Sequence, residues 1–344
     1  MKELSLNSNL HKAKNSKQDE FYTQISYIEN EMKHYEKYFE NKHVFCNCDD
    51  PEYSNFWRYF ALNFDRLKLK RLTSTHYSEI KEETFQMDMF KEVPNEFINK
   101  KTFITLEETG IELPLGYMTN IENGSGDFRS ESSIEILKMC DIVVTNPPFS
   151  LFSDYIKQLV LYDKDFIVLG SQNALTTNSI FPLLKENKLW TGVFAGNMEF
   201  RVPNDDKYKR DGKRFWIDDH GDYWRSLGNI CWFTNLTHYK RKEELLLYKK
   251  YTPETYYKFE NYDAINVDKV SEIPFDYTGP MGVPVTFIYK HNPNQFEILG
   301  QTHSGDTSLE VEKIRTSTNH RHRGFINGKQ KYARVLIRRV SNED

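Results

Sequence analysis

The chain predicts a doubly wound α/β sheet. A helix–strand–helix–strand opening over about residues 20–76 points to it, as does a second alternation over about residues 131–195. A Pro-rich turn also ends one of the strands, where such sheets place their ligands. At 344 residues, 38% hydrophobic and 15% aromatic, the chain can bury a sizeable core, which excludes global disorder. No apolar run approaches about 18 residues, so no transmembrane helix is expected. The polar N-terminus lacks the apolar stretch of a secretory signal. Cys46, Cys48, Cys140 and Cys231 are too few and too scattered for a disulfide framework, and the protein reads as cytoplasmic. The net charge of −4 disfavours nucleic acid for the chain as a whole, but such a sum can hide a local basic face.

Residues 1–20, with Lys12, Lys14 and Lys17 among Asn and Ser, read as a mobile basic arm. In residues 20–41 Ile25, Ile28, Met32, Tyr35 and Phe39 recur at three and four, which predicts a helix. HVFCNC follows as a strand. Asp50 then fits a helix N-cap and Pro51 the first helical position, with Phe56, Phe60 and Phe64 on one face. LKLKRLTSTHY reads as the second strand. Residues 77–125 are less regular and suit a hairpin insertion. Periodicity returns with the helix SSIEILKM, the strand DIVVT, the helix SDYIKQLVLY, the strand DFIVLG, the helix SIFPLLKEN and the strand LWTGVFAG. Residues 196–228 are charged, aromatic and loop-like, before NICWFTNL resumes as a strand. Beyond about residue 240, VPVTFIY, FEILGQT and YARVLIRRV are strand-like.

The sharpest signal is Asn146-Pro147-Pro148-Phe149, directly after the strand Asp141–Thr145. Its bland reading is a turn that ends a strand. The chemistry favours another. An exocyclic amine conjugated to an aromatic ring is a poor nucleophile because its lone pair is delocalised. The Asn146 carbonyl oxygen and a neighbouring backbone carbonyl can accept its two N–H groups and free that lone pair. Two prolines offer no competing N–H and fix φ, and Phe149 can stack on a planar substrate.

This motif in this place resembles the S-adenosylmethionine-dependent amino-methyltransferases. The resemblance extends to Asp19-Glu20-Phe21-Tyr22-Thr23, Cys46-Asn47-Cys48-Asp49-Asp50-Pro51 and Gly126-Asp127-Phe128-Arg129-Ser130. With NYDAINV and MGVPVTF further on, the segments are similar to the EcoRI-type adenine-specific DNA methyltransferases. The resemblance implies a class I methyltransferase fold: a Rossmann-like, mostly parallel seven-stranded sheet with helices on both faces and one antiparallel strand. It implies S-adenosylmethionine as cofactor and no metal. Methyl transfer would go to N6 of an adenine flipped out of duplex DNA. Asn146, Pro147, Pro148 and Phe149 would be catalytic. Phe21, Tyr22, Thr23, Asn47, Cys48, Asp49, Asp50, Asp127 and Phe128 would surround the cofactor. The first-strand G-x-G of the wider superfamily is absent, with Asn47, Cys48 and Asp49 in its place. No carboxylate ends the second strand to hold a ribose; Asp49, Asp50 or Thr75 is left for that role.

Two basic clusters suit phosphate and base contact. Arg201, Lys209, Arg210, Lys213 and Arg214 lie near Phe200. Arg321, Arg323, Lys329 and Lys331 lie in an acid-free run from Lys313 to Arg339. The usual fate of such runs is a solvated face; beside the methyltransferase motif they are assigned to double-stranded DNA. The expected organisation is an arm (1–20), a methyltransferase core (21–240, with insertions about 77–125 and 196–228) and a C-terminal target-recognition part (241–344). A monomer of the restriction–modification or phage-modification type is expected, the former with a cognate restriction endonuclease acting separately and neither with a membrane. Rival readings are methylation of an RNA base or a protein glutamine, and a catalytically idle DNA-binding protein.

Overall fold

Strand β1 (Tyr22–Thr23) leads into helix α1 (Ile25–Met32), β2 (His43–Asn47), α2 (Asn55–Leu62) and β3 (Arg71–Thr75). The computed structural model describes residues 21–51, 53–75, 103–107, 115–119, 126–203, 214–303, 306, 308–316 and 323–340. Next come β4 (Phe103–Glu107), β5 (Leu115–Thr119), α3 (Glu131–Met139), β6 (Ile142–Thr145), α4 (Phe152–Leu161) and β7 (Asp165–Ser171). Helix α5 (Phe181–Lys185) precedes β8 (Trp190–Val202), β9 (Phe215–Ile217) and β10 (Tyr223–Thr234). The remaining elements are β11 (Ile265–Asn266), β12 (Met281–Val283), β13 (Phe296–Gln301), α6 (Leu309–Ile314), β14 (Phe325–Ile326), β15 (Lys329–Gln330) and β16 (Val335–Arg339). The chain divides into two compact units: Met1–Gly170 with Gly196–Leu236, and Ser171–Ala195 with Thr237–Asp344.

The large sheet runs β1-β8-β10-β7-β6-β2-β3-β4-β5, with β9 paired to β10. This corrects the expected seven-stranded, mostly parallel sheet with helices on both faces. The sheet has ten strands and is mixed. At its centre the pairing is parallel, β2 with β3 and β6, and β6 with β7. β3–β4, β4–β5, β1–β8 and β9–β10 are all antiparallel. Strands joined by a crossover helix, as β2 and β3 are by α2 and β6 and β7 by α4, can run parallel. The alternation in the sequence describes this centre, and antiparallel strands are added on either side of it. Residues 196–228, expected to be a loop, supply the end of β8, all of β9 and the start of β10. Their aromatic residues suit strands, and Tyr223–Asn229 are all half-buried, without the alternation of a strand that has one buried face.

β2 is buried along its whole length. One hydrophobic cluster joins Val44, Ile142 and Ile167 from the central strands to Ile28 and Met32 of α1 and Phe56 and Phe60 of α2. Rings lock it: Phe39 meets Phe60 edge-on at 5.1 Å and Phe56 meets Trp232 at 5.9 Å. Asp50 is not the cap of α2, as the sequence suggested. Ser54 takes that place, its hydroxyl accepting from Phe56 N at 3.0 Å. Asp50 instead turns the chain, its carbonyl accepting from Tyr53 and Ser54.

In the second unit β11, β12, β16 and β13 form a four-stranded sheet. Of VPVTFIY only Val283 lies in a strand, the end of β12; Val285–Lys290 is a 3-10 segment, and Pro284 between them has no ladder donor. β14 and β15 form a hairpin closed by Asn327 (φ 51) and Gly328 (φ 69), the pair of left-handed residues that a tight two-residue turn requires. The arm at 1–20 and most of the insertion at 77–125 lie outside the described residues. Among the described residues no helix is long and apolar enough to cross a membrane.

Candidate active site

β6 ends at Thr145, and Asn146 begins the turn beyond it. The Asn146 side-chain Nδ2 donates to the backbone carbonyl of Phe21 at 2.7 Å. A backbone carbonyl can only accept, so this contact settles which way the amide faces. The other end, Asn146 Oδ1, is buried and has no hydrogen-bond partner. The Phe21 ring stacks on Phe149, with centroids 5.5 Å apart and planes 21° apart, and meets Phe200 edge-on. Phe200 is fully buried, so the ring beside Phe149 is Phe21. The β1–β8 ladder, with Thr23 opposite Phe200 and Tyr22 opposite Arg201, brings the Phe21 carbonyl here.

The end of β2 supplies the second group of residues. Asn47 Oδ1 accepts from the Thr75 hydroxyl at 3.0 Å, and Asn47 Nδ2 is buried without a partner. Thr75 is fully buried in that contact. Cys48 has φ +82, a left-handed conformation that glycine adopts without cost. A cysteine thus takes a left-handed backbone where the glycine signature is missing. Asp49 is buried, and both its oxygens are taken. Ser54 Oγ donates to Oδ1 at 2.7 Å, and the Thr145 hydroxyl bonds Oδ2. Burial pushes the Asp49 carboxyl up to about 7, while bonds from Thr145, Ser54 and the Asn146 backbone pull it back towards the ionised form.

Tyr22 tilts towards Tyr53 at 6.4 Å. The Thr23 carbonyl accepts from Asn55 Nδ2 at 2.8 Å, and its hydroxyl is buried without a partner. Asp127 forms a bidentate pair with Arg129, at 2.9 and 2.6 Å. Burial opposes ionisation of Asp127, but the Arg129 bonds outweigh it and hold its pKa below the ordinary carboxylate value. The Phe128 ring is buried and meets Tyr155 edge-on at 5.0 Å. The Tyr155 hydroxyl is a further buried group without a partner.

Of the basic residues, Arg201 pairs with Asp222 at 2.6 Å, and Arg214 is exposed. Lys209, Arg210, Lys213 and Arg321 lie outside the described residues. Lys329 is exposed on the β14–β15 hairpin, Arg323 is half-buried just before it, and Lys331 lies 3.9 Å from Asp268. Asp218-Asp219-His220 forms a turn, with Asp218 Oδ1 accepting from the N–H groups of His220 and Asp222.

The model of the family described as adenine-specific methyltransferase EcoRI matches residues 9–340. The chain belongs to that family. Its relatives include type II methyltransferase M.EcoRI of Escherichia coli, 43% identical over 341 residues and 96% of each chain. M.MgeORF184P of Mycoplasma genitalium is 37% identical, with 96% of this chain and 98% of the relative covered. M.MpnI of Mycoplasma pneumoniae is 36% identical with the same coverage. No solved structure matches the chain. As an EcoRI-type methyltransferase the protein is an adenine-specific DNA methyltransferase of the restriction–modification type. Sequence reasoning missed two of the hydroxyls gathered at the strand ends, those of Ser54 and Thr145, which bond Asp49. Thr145 could have been found as a polar residue ending an otherwise apolar strand, DIVVT.

Proposed function

We propose that this chain methylates N6 of an adenine extruded from duplex DNA, using S-adenosylmethionine. The observation that carries the reading is the Asn146 amide. Its donor end is committed to the Phe21 carbonyl, and its acceptor end is buried and without a partner. A group of this kind suits an incoming N–H donor, and an unmet buried acceptor is costly, at about 1–3 kcal/mol. Asn146 Oδ1 and the Pro147 carbonyl accept the two amine hydrogens, which concentrates the lone pair on nitrogen. Phe149 offers its ring to the base.

The residues at the strand ends fit the cofactor. Asn47 Nδ2, Thr23 Oγ1 and Tyr155 Oη are buried polar groups without partners. These are groups that a polar ligand satisfies. Asn47 and Thr23, with Tyr22, Asp127 and Phe128 beside them, would hold it. When bound, S-adenosylmethionine supplies an electrophilic methyl group on a cationic sulfur. Arg201, Arg214, Arg323 and Lys329 would contact DNA phosphates. A cognate endonuclease and a monomeric state belong to the same reading.

The test is transfer of radiolabelled methyl groups, run in parallel on unmethylated duplex DNA, RNA and protein extract. Label in N6-methyladenine of duplex DNA alone is the expected result. Label in RNA or in glutamine would replace this reading with one of its rivals.

A further inference from the structure

Asp49 stands at the first-strand bend, yet neither carboxylate oxygen is open to a ligand. The protein's own groups take both, and they come from different elements. Ser54, the cap of α2, donates to Oδ1. Thr145, the last residue of β6, bonds Oδ2, and the backbone of Asn146 adds a further bond. The Asp49 backbone is clamped from the opposite side: its N–H donates to Thr75 O at 2.9 Å, and its carbonyl accepts from the Ser74 hydroxyl. One buried residue thus ties β3, α2 and the exit of β6 together, and the peptide it grips carries the Asn146 side chain.

We propose that Asp49 is a positioning residue for methyl transfer, its carboxylate holding the Thr145–Asn146 peptide so that the Asn146 amide meets the target amine. This rests on the reading of Asn146 as the group that grips that amine. The left-handed Cys48 stands directly before Asp49, at the end of β2. The two ends of Asn146 are then held independently: its side chain by Phe21 and its backbone by Asp49. Small misplacement of such a group lowers rate more than binding.

The Thr145 hydroxyl lies between Asp49 and the Asn47 carbonyl and has one hydrogen to give. Ionised Asp49 draws that hydrogen to itself; protonated Asp49 can only donate in turn to the Thr145 oxygen while that hydrogen passes to Asn47. The ionised form, which accepts from Thr145, Ser54 and the Asn146 backbone at once through charge-assisted bonds, is the one that grips the peptide more tightly. The other titratable groups facing the carboxyl are Cys46, Cys48, Tyr155 and Asp50. Burial raises the first three well above their ordinary values, and the Asp50 charge pushes Asp49 upward. None of the three therefore loses its proton near neutrality.

The experiment compares Thr145→Val, Thr145→Ser and Asp49→Asn in single-turnover methylation of unmethylated genomic DNA, with S-adenosylmethionine affinity measured by calorimetry. Thr145→Val keeps the side-chain shape and removes the hydroxyl, so it tests the brace even if Asp49→Asn folds poorly. Expected are a fall of about ten- to a hundredfold in the methyl-transfer rate for Thr145→Val, cofactor affinity within about twofold of wild type, and recovery in Thr145→Ser. The wild-type rate should also decline as pH falls through about 7, and that limb should vanish in Asp49→Asn. Equal loss of rate and cofactor affinity would make Asp49 part of the cofactor site and overturn the proposal, as would an unchanged rate in Thr145→Val. Asn146→Ala run alongside separates the two ideas: if it stays active, the reading of Asn146 fails; if it is inactive while Thr145→Val is not, only the brace fails.

Discussion

The side chain of Asn146 is held by the backbone of Phe21, a residue 125 positions earlier, through a 2.7 Å bond from Nδ2 to the Phe21 carbonyl. The bond makes the amide's orientation a property of the fold. Loss of one preorganised partner of this kind costs about 10²–10³ in rate. Asn146→Ala should lose that much with cofactor binding little changed. Asn146→Asp should fall as far, because a carboxylate facing the Phe21 carbonyl has no hydrogen to offer. Turnover near wild type in either variant, at saturating DNA and cofactor, would dismiss the mechanism.

Phe149 is the second test. Its ring is stacked on Phe21 and half-buried. If an extruded base stacks on it, Phe149→Ala should cost about 1–3 kcal/mol of target-base binding, and Phe149→Trp should retain much of the activity. With 2-aminopurine at the target adenine, the bound-state fluorescence should change in Phe149→Ala. An unchanged signal with a lower melting temperature would leave Phe149 a packing residue only.

Cys48 carries a backbone prediction. A β-branched side chain at φ +82 is strongly disfavoured, whereas glycine is at ease there. Cys48→Val should lower unfolding stability by about 2 kcal/mol, and Cys48→Gly should stay within about 1 kcal/mol of wild type. Denaturant titration of the two variants decides it; a tolerated valine contradicts the left-handed bend.

Acid should destabilise the protein in part through His43. Burial, aided by the Arg71 charge, lowers its pKa to about 4, and the ring bonds Thr73 at 2.9 Å. The unfolded chain binds a proton near pH 6.5 and the folded chain does not. Stability from this group is therefore complete above about 6.5 and lost as pH falls towards 4, by about 3 kcal/mol in all. Asp49 has the opposite sign: its raised pKa stabilises the fold at low pH and the benefit fades as pH rises through about 7. Melting curves between pH 7 and 4.5 should show a shallower acid loss in His43→Gln and a steeper one in Asp49→Asn. Parallel slopes in all three proteins would refute the assignment.

The β14–β15 hairpin is tested by salt. If Arg323 and Lys329 contact phosphates, changing both to Ala should weaken every duplex about equally. The slope of log affinity against log salt should shrink by roughly one to two units. A loss confined to one base position would instead make them readers of sequence.

By itself the sequence determined the chemistry. The Asn-Pro-Pro-Phe turn, its place after DIVVT and the separated segments at 19–23, 46–51 and 126–130 sufficed to name the family, because bonding geometry at a reactive amine tolerates few residue types. It also determined the central alternation, over His43–Thr75 and Glu131–Ser171, where apolar periodicity is strong. The tertiary structure alone decided the rest. Strands outside the centre escaped the pattern because half-buried stretches such as Tyr223–Asn229 carry no two-residue alternation. The β14–β15 hairpin escaped as well, because its strands are two residues each, too short for periodicity. Asp49, which the sequence placed at the cofactor, has its oxygens bonded by Ser54 and Thr145. No local pattern encodes that, since Thr145 lies 96 residues away and only the pairing of β2 with β6 brings them together.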